Sequence, residues 1–268
     1  MKYNYFLLIH FFVIYLFSAN IYSQILNVDR EGVENEIKKN WMYSTDLSLS
    51  SDKNKLNLLD IATKIEIVNF LKNNYMFIGM LNYNLTMNGK EVIQNEGYAQ
   101  IRFRDNDKRK ISNESFLQYQ WDGTLGMEYR KLIGSNIRFK ILEKSDLDLY
   151  TGTGVFYEME QWNFKGVNDI ETSLFPNSVN RNIFRLNHYW KAAYKINDNI
   201  DISGVSYFQL PINSEISNLR WFFDLNTNVK MTKNLNFVIH YDGTYDNYRL
   251  VPIAKYYYSL NFGIQLKW

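Results

Sequence analysis

The segment Tyr256-Tyr257-Tyr258-Ser259-Leu260-Asn261-Phe262-Gly263-Ile264-Gln265-Leu266-Lys267-Trp268 alternates without a break. Its even positions, Tyr256, Tyr258, Leu260, Phe262, Ile264, Leu266 and Trp268, are all apolar or aromatic. Its odd positions, Tyr257, Ser259, Asn261, Gly263, Gln265 and Lys267, are mostly polar or small. A β-strand turns successive side chains to opposite faces, so one face of this segment is hydrocarbon and the other is wet. The strand also ends on an aromatic residue. That ending resembles the C-terminal signal by which the outer-membrane barrel-assembly machinery recognises its clients.

The same period runs upstream. Leu59, Ile61, Ile65 and Ile67 alternate with Asp60, Lys64 and Glu66, and Ile133, Ile137, Phe139 and Ile141 oppose Gly134, Asn136, Arg138 and Lys140. Leu219, Trp221, Phe223, Leu225 and Val229 alternate with Arg220, Asp224, Asn226 and Lys230. About twelve strands follow, near residues 41–50, 56–70, 74–87, 96–104, 111–121, 128–142, 147–161, 183–195, 200–210, 218–231, 235–243 and 255–268. Short polar turns such as Lys72-Asn73-Asn74, Glu143-Lys144-Ser145-Asp146, Asn197-Asp198-Asn199 and Thr232-Lys233-Asn234 join some of them. Longer connections are expected at 87–95, 161–182, 211–217 and 243–254.

Composition narrows the class. The 268 residues include no Cys, 3 Pro, 13 Gly, 18 Phe, 21 Tyr and 6 Trp. A disulfide scaffold, a thiolate metal site, a Cys nucleophile and a lipid-modified cysteine are therefore excluded. So much aromatic surface argues against disorder. The 30 basic and 28 acidic residues make no basic field for nucleic acid, which is not expected as a partner. The mean hydropathy of -0.36 reads oddly beside the aromatic content, unless strands separate the two kinds of residue by face.

Residues 1–23 stand apart. Lys2 is their one charge, and residues 6–17 form a 12-residue apolar run broken only by His10. A spanning helix needs about 20 residues, so this segment reads as a secretory signal cleaved near Ser23. The expected organisation is then a signal peptide at 1–23, a periplasmic segment at 24–40 and a barrel at 41–268.

A soluble sandwich alternates too, with its apolar face inward. Strand length decides between them: candidate strands of up to about 14 residues exceed the globular mode of about 5–6 and suit tilted membrane strands of about 9–11. The expected fold is all-β, a twelve-stranded antiparallel transmembrane β-barrel with short periplasmic turns and longer extracellular loops.

The polar parity then lines a lumen. Its candidate residues are Lys64, Glu66, Arg102, Arg104, Glu114, Arg138, Lys140, Asp148, Glu158, Glu160, Arg185, Arg220 and Asp224, with Lys191, Asp201 and Asp242 beside them. Eight of these are basic and eight acidic, which favours mutual ion pairs over a charge-selective constriction. A turn centred on Lys144 would place Lys140 opposite Asp148. No catalytic, cofactor or metal site is written locally. His188 falls on the apolar parity and His240 on the polar one, neither with a second His three or four residues away. The His-x-Ser spacing of an outer-membrane phospholipase is missing. Gly152-Thr153-Gly154 lies inside a strand and lacks the helix and Lys-Ser/Thr of a phosphate loop.

The run Arg130-Lys131-Leu132-Ile133-Gly134, then Ile137-Arg138-Phe139-Lys140-Ile141-Leu142, then Leu147-Asp148-Leu149-Tyr150-Thr151-Gly152-Thr153-Gly154-Val155-Phe156-Tyr157-Glu158-Met159-Glu160, resembles domain of unknown function 481, also called YdiY-like, in its Bacteroidetes-type form. Leu47-Ser48-Leu49-Ser50 and Tyr194-Lys195-Ile196-Asn197-Asp198-Asn199-Ile200 fit the same pattern. The resemblance implies an outer-membrane barrel of unestablished role and supplies no catalytic residues. A narrow channel for small polar solutes is the first expectation. A closed structural or adhesive barrel is the alternative, and a lipid-modifying barrel enzyme trails both. The expected partners are outer-membrane lipid, the assembly machinery and a small polar solute, with no cofactor.

Overall fold

A computed structural model describes residues 41–266, apart from 54–55, 72–74, 106–108, 168–176, 213–214 and 233–234. The expected signal at 1–23, the segment at 24–40 and Trp268 of the expected assembly signal lie outside the described residues.

Twelve strands form one sheet in which each pairs with its neighbour in sequence. They are β1 (Trp41–Lys53), β2 (Asn57–Phe70), β3 (Met76–Asn88), β4 (Glu91–Arg104), β5 (Ile111–Asp122), β6 (Met127–Glu143), β7 (Leu147–Trp162), β8 (Val179–Asn197), β9 (Ile200–Pro211), β10 (Arg220–Lys230), β11 (Leu235–Asp246) and β12 (Tyr256–Leu266). Every ladder is antiparallel. The strand count and all-β class match the sequence reading.

Alternation of burial follows alternation of sequence, with the usual sign reversed. Along β5, Ser112, Glu114, Gln118, Gln120 and Asp122 are buried, while Ile111, Leu117 and Tyr119 are exposed. On β12, Tyr258 is 60% and Phe262 50% exposed. The largest fully buried side chains include Arg102, Arg104, Arg130, Arg138 and Arg185.

Strand twist accumulates across such a sheet and curls it. Val68, Met76 and Ile78 of β2 and β3 pack in one cluster with Tyr189, Val205, Tyr207 and Phe222 of β8, β9 and β10. Strands at least five places apart in the sheet order thus touch through their inner faces. The sheet encloses what it buries.

The connections differ from expectation in two ways. The stretch 87–95, read as a long loop, is a tight hairpin: β3 runs to Asn88, β4 starts at Glu91, and Gly89 takes φ 60° in the turn. Glycine reaches that left-handed conformation without steric cost, and a glycine at the first position of a two-residue loop, here Gly89-Lys90, suits a hairpin turn. At the same end of the sheet, β1–β2 and β5–β6 are also joined briefly, so the long loops fall together in the second half, at 163–178, 212–219 and 247–255. The second difference is a register shift between Lys140 and Leu142. It sets Lys140 opposite Tyr150 and Glu143 opposite Asp148, so the expected Lys140–Asp148 pairing does not form. Lys140 Nζ instead donates to Glu143 at 3.0 Å. One extra residue in β6 was enough to break the parity count across the turn.

Candidate functional site: an ion-paired interior

The inner face carries two ionic layers with an apolar layer between them. In the first layer, β7 turns Glu158 and Glu160 inward at successive even positions. Glu158 Oε1 accepts from Arg130 Nε at 2.6 Å and from Arg220 Nη1 at 2.7 Å, and its Oε2 accepts from Arg185 Nε. Glu160 accepts from Arg181 Nη2 at 2.7 Å and Arg220 Nη2 at 2.9 Å. Arg220 Nε donates to Asp246 at 2.8 Å. These donors come from β6, β8 and β10, so Arg220 reaches across the interior rather than along a ladder. Charges removed from water are tolerable only when paired and hydrogen-bonded on most sides, which the planar guanidinium fork permits.

In the second layer, Glu114 of β5 is fully buried. It accepts from Arg104 Nε at 2.7 Å and Arg102 Nη1 at 3.4 Å, and Tyr189 donates its hydroxyl to Oε2 at 2.9 Å. Arg138 Nε stands 4.0 Å from the same carboxylate, and its guanidinium stacks 3.8 Å from the centre of the Tyr150 ring. Between the layers, Phe116, Leu132 and Phe156 form an apolar cluster. Asn187 Nδ2 donates to Asn136 Oδ1 at 3.0 Å beside it. Room for these side chains comes from glycine. A Cβ on Gly152 would strike the Tyr189 ring, and one on Gly134 would strike Phe156. The glycine spacing read in the sequence is therefore a packing device.

Each residue expected to line the lumen can be placed. Glu66, Arg102, Arg104, Glu114, Arg138, Glu158, Glu160, Arg185, Arg220 and Asp224 are buried, as are Lys191 and Asp242. Lys64, Asp148 and Asp201 are half-buried, and Lys140 sits near the turn with 15% of its side chain exposed. Asp224 meets His240 Nε2 at 2.8 Å, which puts His240 on the inner face. His188 lies on the outer face against Trp190. Of the expected assembly signal, Tyr256, Tyr258, Leu260 and Phe262 face outward. Ile264 and Leu266 pair in register with Phe237 and Leu235.

Sequence reasoning missed Arg130, Arg181, Asp246, Glu96 and Asp122, all on the inner face. Arg130 has the parity of Arg138 and was readable from it. Arg181 and Asp246 fell within stretches taken for loops. Asp198, fully exposed in the β8–β9 turn, is held below the usual carboxylate range by a hydrogen bond from Lys195.

The 247–255 loop closes one end. Its Val251 and Ile253, 2% and 8% exposed, pack against Met127, Trp162 and Phe164. Arg181 Nη1 donates to the Tyr248 carbonyl at 2.6 Å, and Asn247 Nδ2 donates to the Ser217 carbonyl at 2.7 Å. Beneath it lies a cavity of about 20 Å³ bordered by Arg130, Trp162, Arg220, Arg249 and Tyr257. A second cavity of about 10 Å³ lies between Phe116, Leu132, Asn187 and Gln209. Each is the size of one or two water positions. Among the described residues no group of three His, Asp or Glu could hold a metal ion.

A search of curated proteins returns no match. Among solved structures the chain is similar to the NanC porin in a rhombohedral crystal form, at 12% identity and a TM-score of 0.44, over 85% of this chain and 99% of that one. The family model described as "Protein of unknown function, DUF481" matches residues 60–262, most of the sequence. On that match, the chain belongs to the DUF481 family.

Proposed function

We propose that this protein is a β-barrel of the bacterial outer membrane, with the 163–178, 212–219 and 247–255 loops outward and a lumen closed at rest by its own side chains. One observation carries the reading: the inversion of burial, with arginines and glutamates inside and a continuous wall of Leu, Ile, Phe, Tyr and Trp outside. Water rejects such a wall, since soluble monomers rarely expose contiguous apolar patches beyond a few hundred Å². A bilayer accepts it, and strands of 11–19 residues are long enough to cross at a tilt.

The filled interior favours the closed-barrel alternative over the narrow channel. The two ionic layers and the Phe116–Leu132–Phe156 layer occupy the section between β5 and β8. A second reading keeps a solute path that opens when the 247–255 loop lifts, and the arginine-bordered cavity beneath that loop favours it. The deciding experiment is refolding into lipid vesicles followed by planar-bilayer recording. Insertion with a heat-modifiable gel band and no steady conductance supports the closed barrel, and discrete openings support the second reading. A chain that stays outside the vesicles refutes the membrane assignment.

A further inference from the structure

The outer wall carries one feature that a passive hydrocarbon face does not need. More than three residues from any strand end, the described outward positions of β2 to β12 are apolar, aromatic, small, hydroxyl or amide, except for the imidazole of His188 on β8 and the ammonium of Lys131 on β6. The Lys131 side chain is exposed and has no carboxylate partner among the described residues. The ammonium lies 4.6 Å from the Tyr129 ring centre and 5.9 Å from that of Tyr119. Trp121 and Tyr129 lie one step nearer the long-loop rim. Such aromatic belts sit at headgroup level, and a lysine just below one reaches that level along its flexible stem.

Beside Lys131 the wall is hollow. In register with it run Tyr119, Ala99 and Leu81 on β5, β4 and β3. Ala99 and Gly79 are small where their neighbours are branched, and a Cβ on Gly79 would meet only Phe77, at 3.8 Å. The resulting groove, about 720 Å³, is walled by Ile65, Leu81, Ile101, Leu117 and Ile133, with Lys131 at its edge. An apolar trough ending at a lone cation, framed by aromatic rings at interface depth, has one chemical complement on the membrane side of a barrel. That complement is an acyl chain leading to a phosphate.

We propose that the β2–β6 outer wall holds a phosphate-bearing membrane lipid, with its phosphate on Lys131 and an acyl chain in the groove. The proposal rests on the membrane-barrel reading, so vesicle insertion of the full chain is checked first; failure there sinks that reading, whatever the lipid result. The refolded protein in detergent micelles is then titrated with dimyristoylphosphatidylglycerol and, separately, dimyristoylglycerol, and bound lipid is counted by native mass spectrometry. The expected result is one retained phosphatidylglycerol, an affinity about fivefold weaker in Lys131→Gln, as one lysine near an anionic lipid is worth, and recovery in Lys131→Arg. Ala99→Leu, which fills the groove and leaves the charge, should lower retention of both lipids. Equal phosphatidylglycerol affinity in wild type and Lys131→Gln overturns the proposal. So does a dimer that disappears with Lys131→Gln, which would make the groove an interface between copies.

Discussion

Glu158→Gln isolates the charge at the centre of the first ionic layer while keeping its shape. The carboxylate is fully buried and accepts from three arginines on three different strands. Glutamine leaves one oxygen to accept and turns an amide donor toward guanidinium donors, so at least one contact becomes repulsive. Each charge-assisted hydrogen bond is worth about 1.5–3 kcal/mol, but they share one acceptor group and do not add. Removing one partner from a buried ion pair costs about 3–5 kcal/mol, so a loss of about 4 kcal/mol is expected. That is nearly a thousandfold in the folding equilibrium. The assay is reversible urea unfolding in lipid vesicles, followed by tryptophan fluorescence and by mobility of the unheated protein on a gel. Arg185 donates through Nε to Glu158, and its Nη1 and Nη2 have no hydrogen-bond partner among the described residues. Adding Arg185→Met to Glu158→Gln should therefore recover part of the loss. A loss below about 1 kcal/mol, the range of a solvated surface pair, would refute the reasoning and mean that water fills this layer.

The second ionic layer and the turn beside it give contrasting tests by the same urea assay. Tyr189→Phe removes one hydrogen bond to Glu114 and should cost about 1–2 kcal/mol, whereas Gly152→Val drives the Tyr189 ring out of place and should cost about 1–3 kcal/mol or block folding. Lys140→Ala breaks the turn-side pair with Glu143 and should cost under about 1 kcal/mol, and an added Asp148→Lys should recover part of it, because position 148 stands opposite Glu143. Ile253→Asp places a charge among Met127, Trp162 and Phe164; it should make 247–255 newly sensitive to protease in intact vesicles, and unchanged resistance would show that the loop is held elsewhere.

Period two was the strongest signal in the chain, and it carried far. Tyr256 to Leu266 and Leu59 to Ile67 read as strands because hydrocarbon on one side leaves no other regular structure available. The same parity found Glu114, Glu158, Arg185 and Arg220 before any pairing was known. Parity fails where a strand holds an extra residue, and the Lys140–Asp148 pairing was lost to that single irregularity. Loop composition misled at 87–95, since polar residues such as Asn88 and Lys90 suit a hairpin as well as a long excursion. The partners across the interior, Arg220 with Glu158 or Tyr189 with Glu114, could not be read. Curvature brings them together, and no local pattern encodes curvature.

The closed end has a consequence for the order in which the chain can fold. Met127, Trp162, Glu158 and Glu160 belong to the middle strands, but Arg220, Asp246, Val251 and Ile253 arrive with the last hairpins. Until those hairpins are in place, two glutamates lack a principal counterion and the mouth has no apolar lid. Contacts so distant in sequence form late and slowly. A chain stalled after β9 would hold a nearly complete ladder around an interior it cannot yet neutralise, and completing the sheet would be the step that makes it stable.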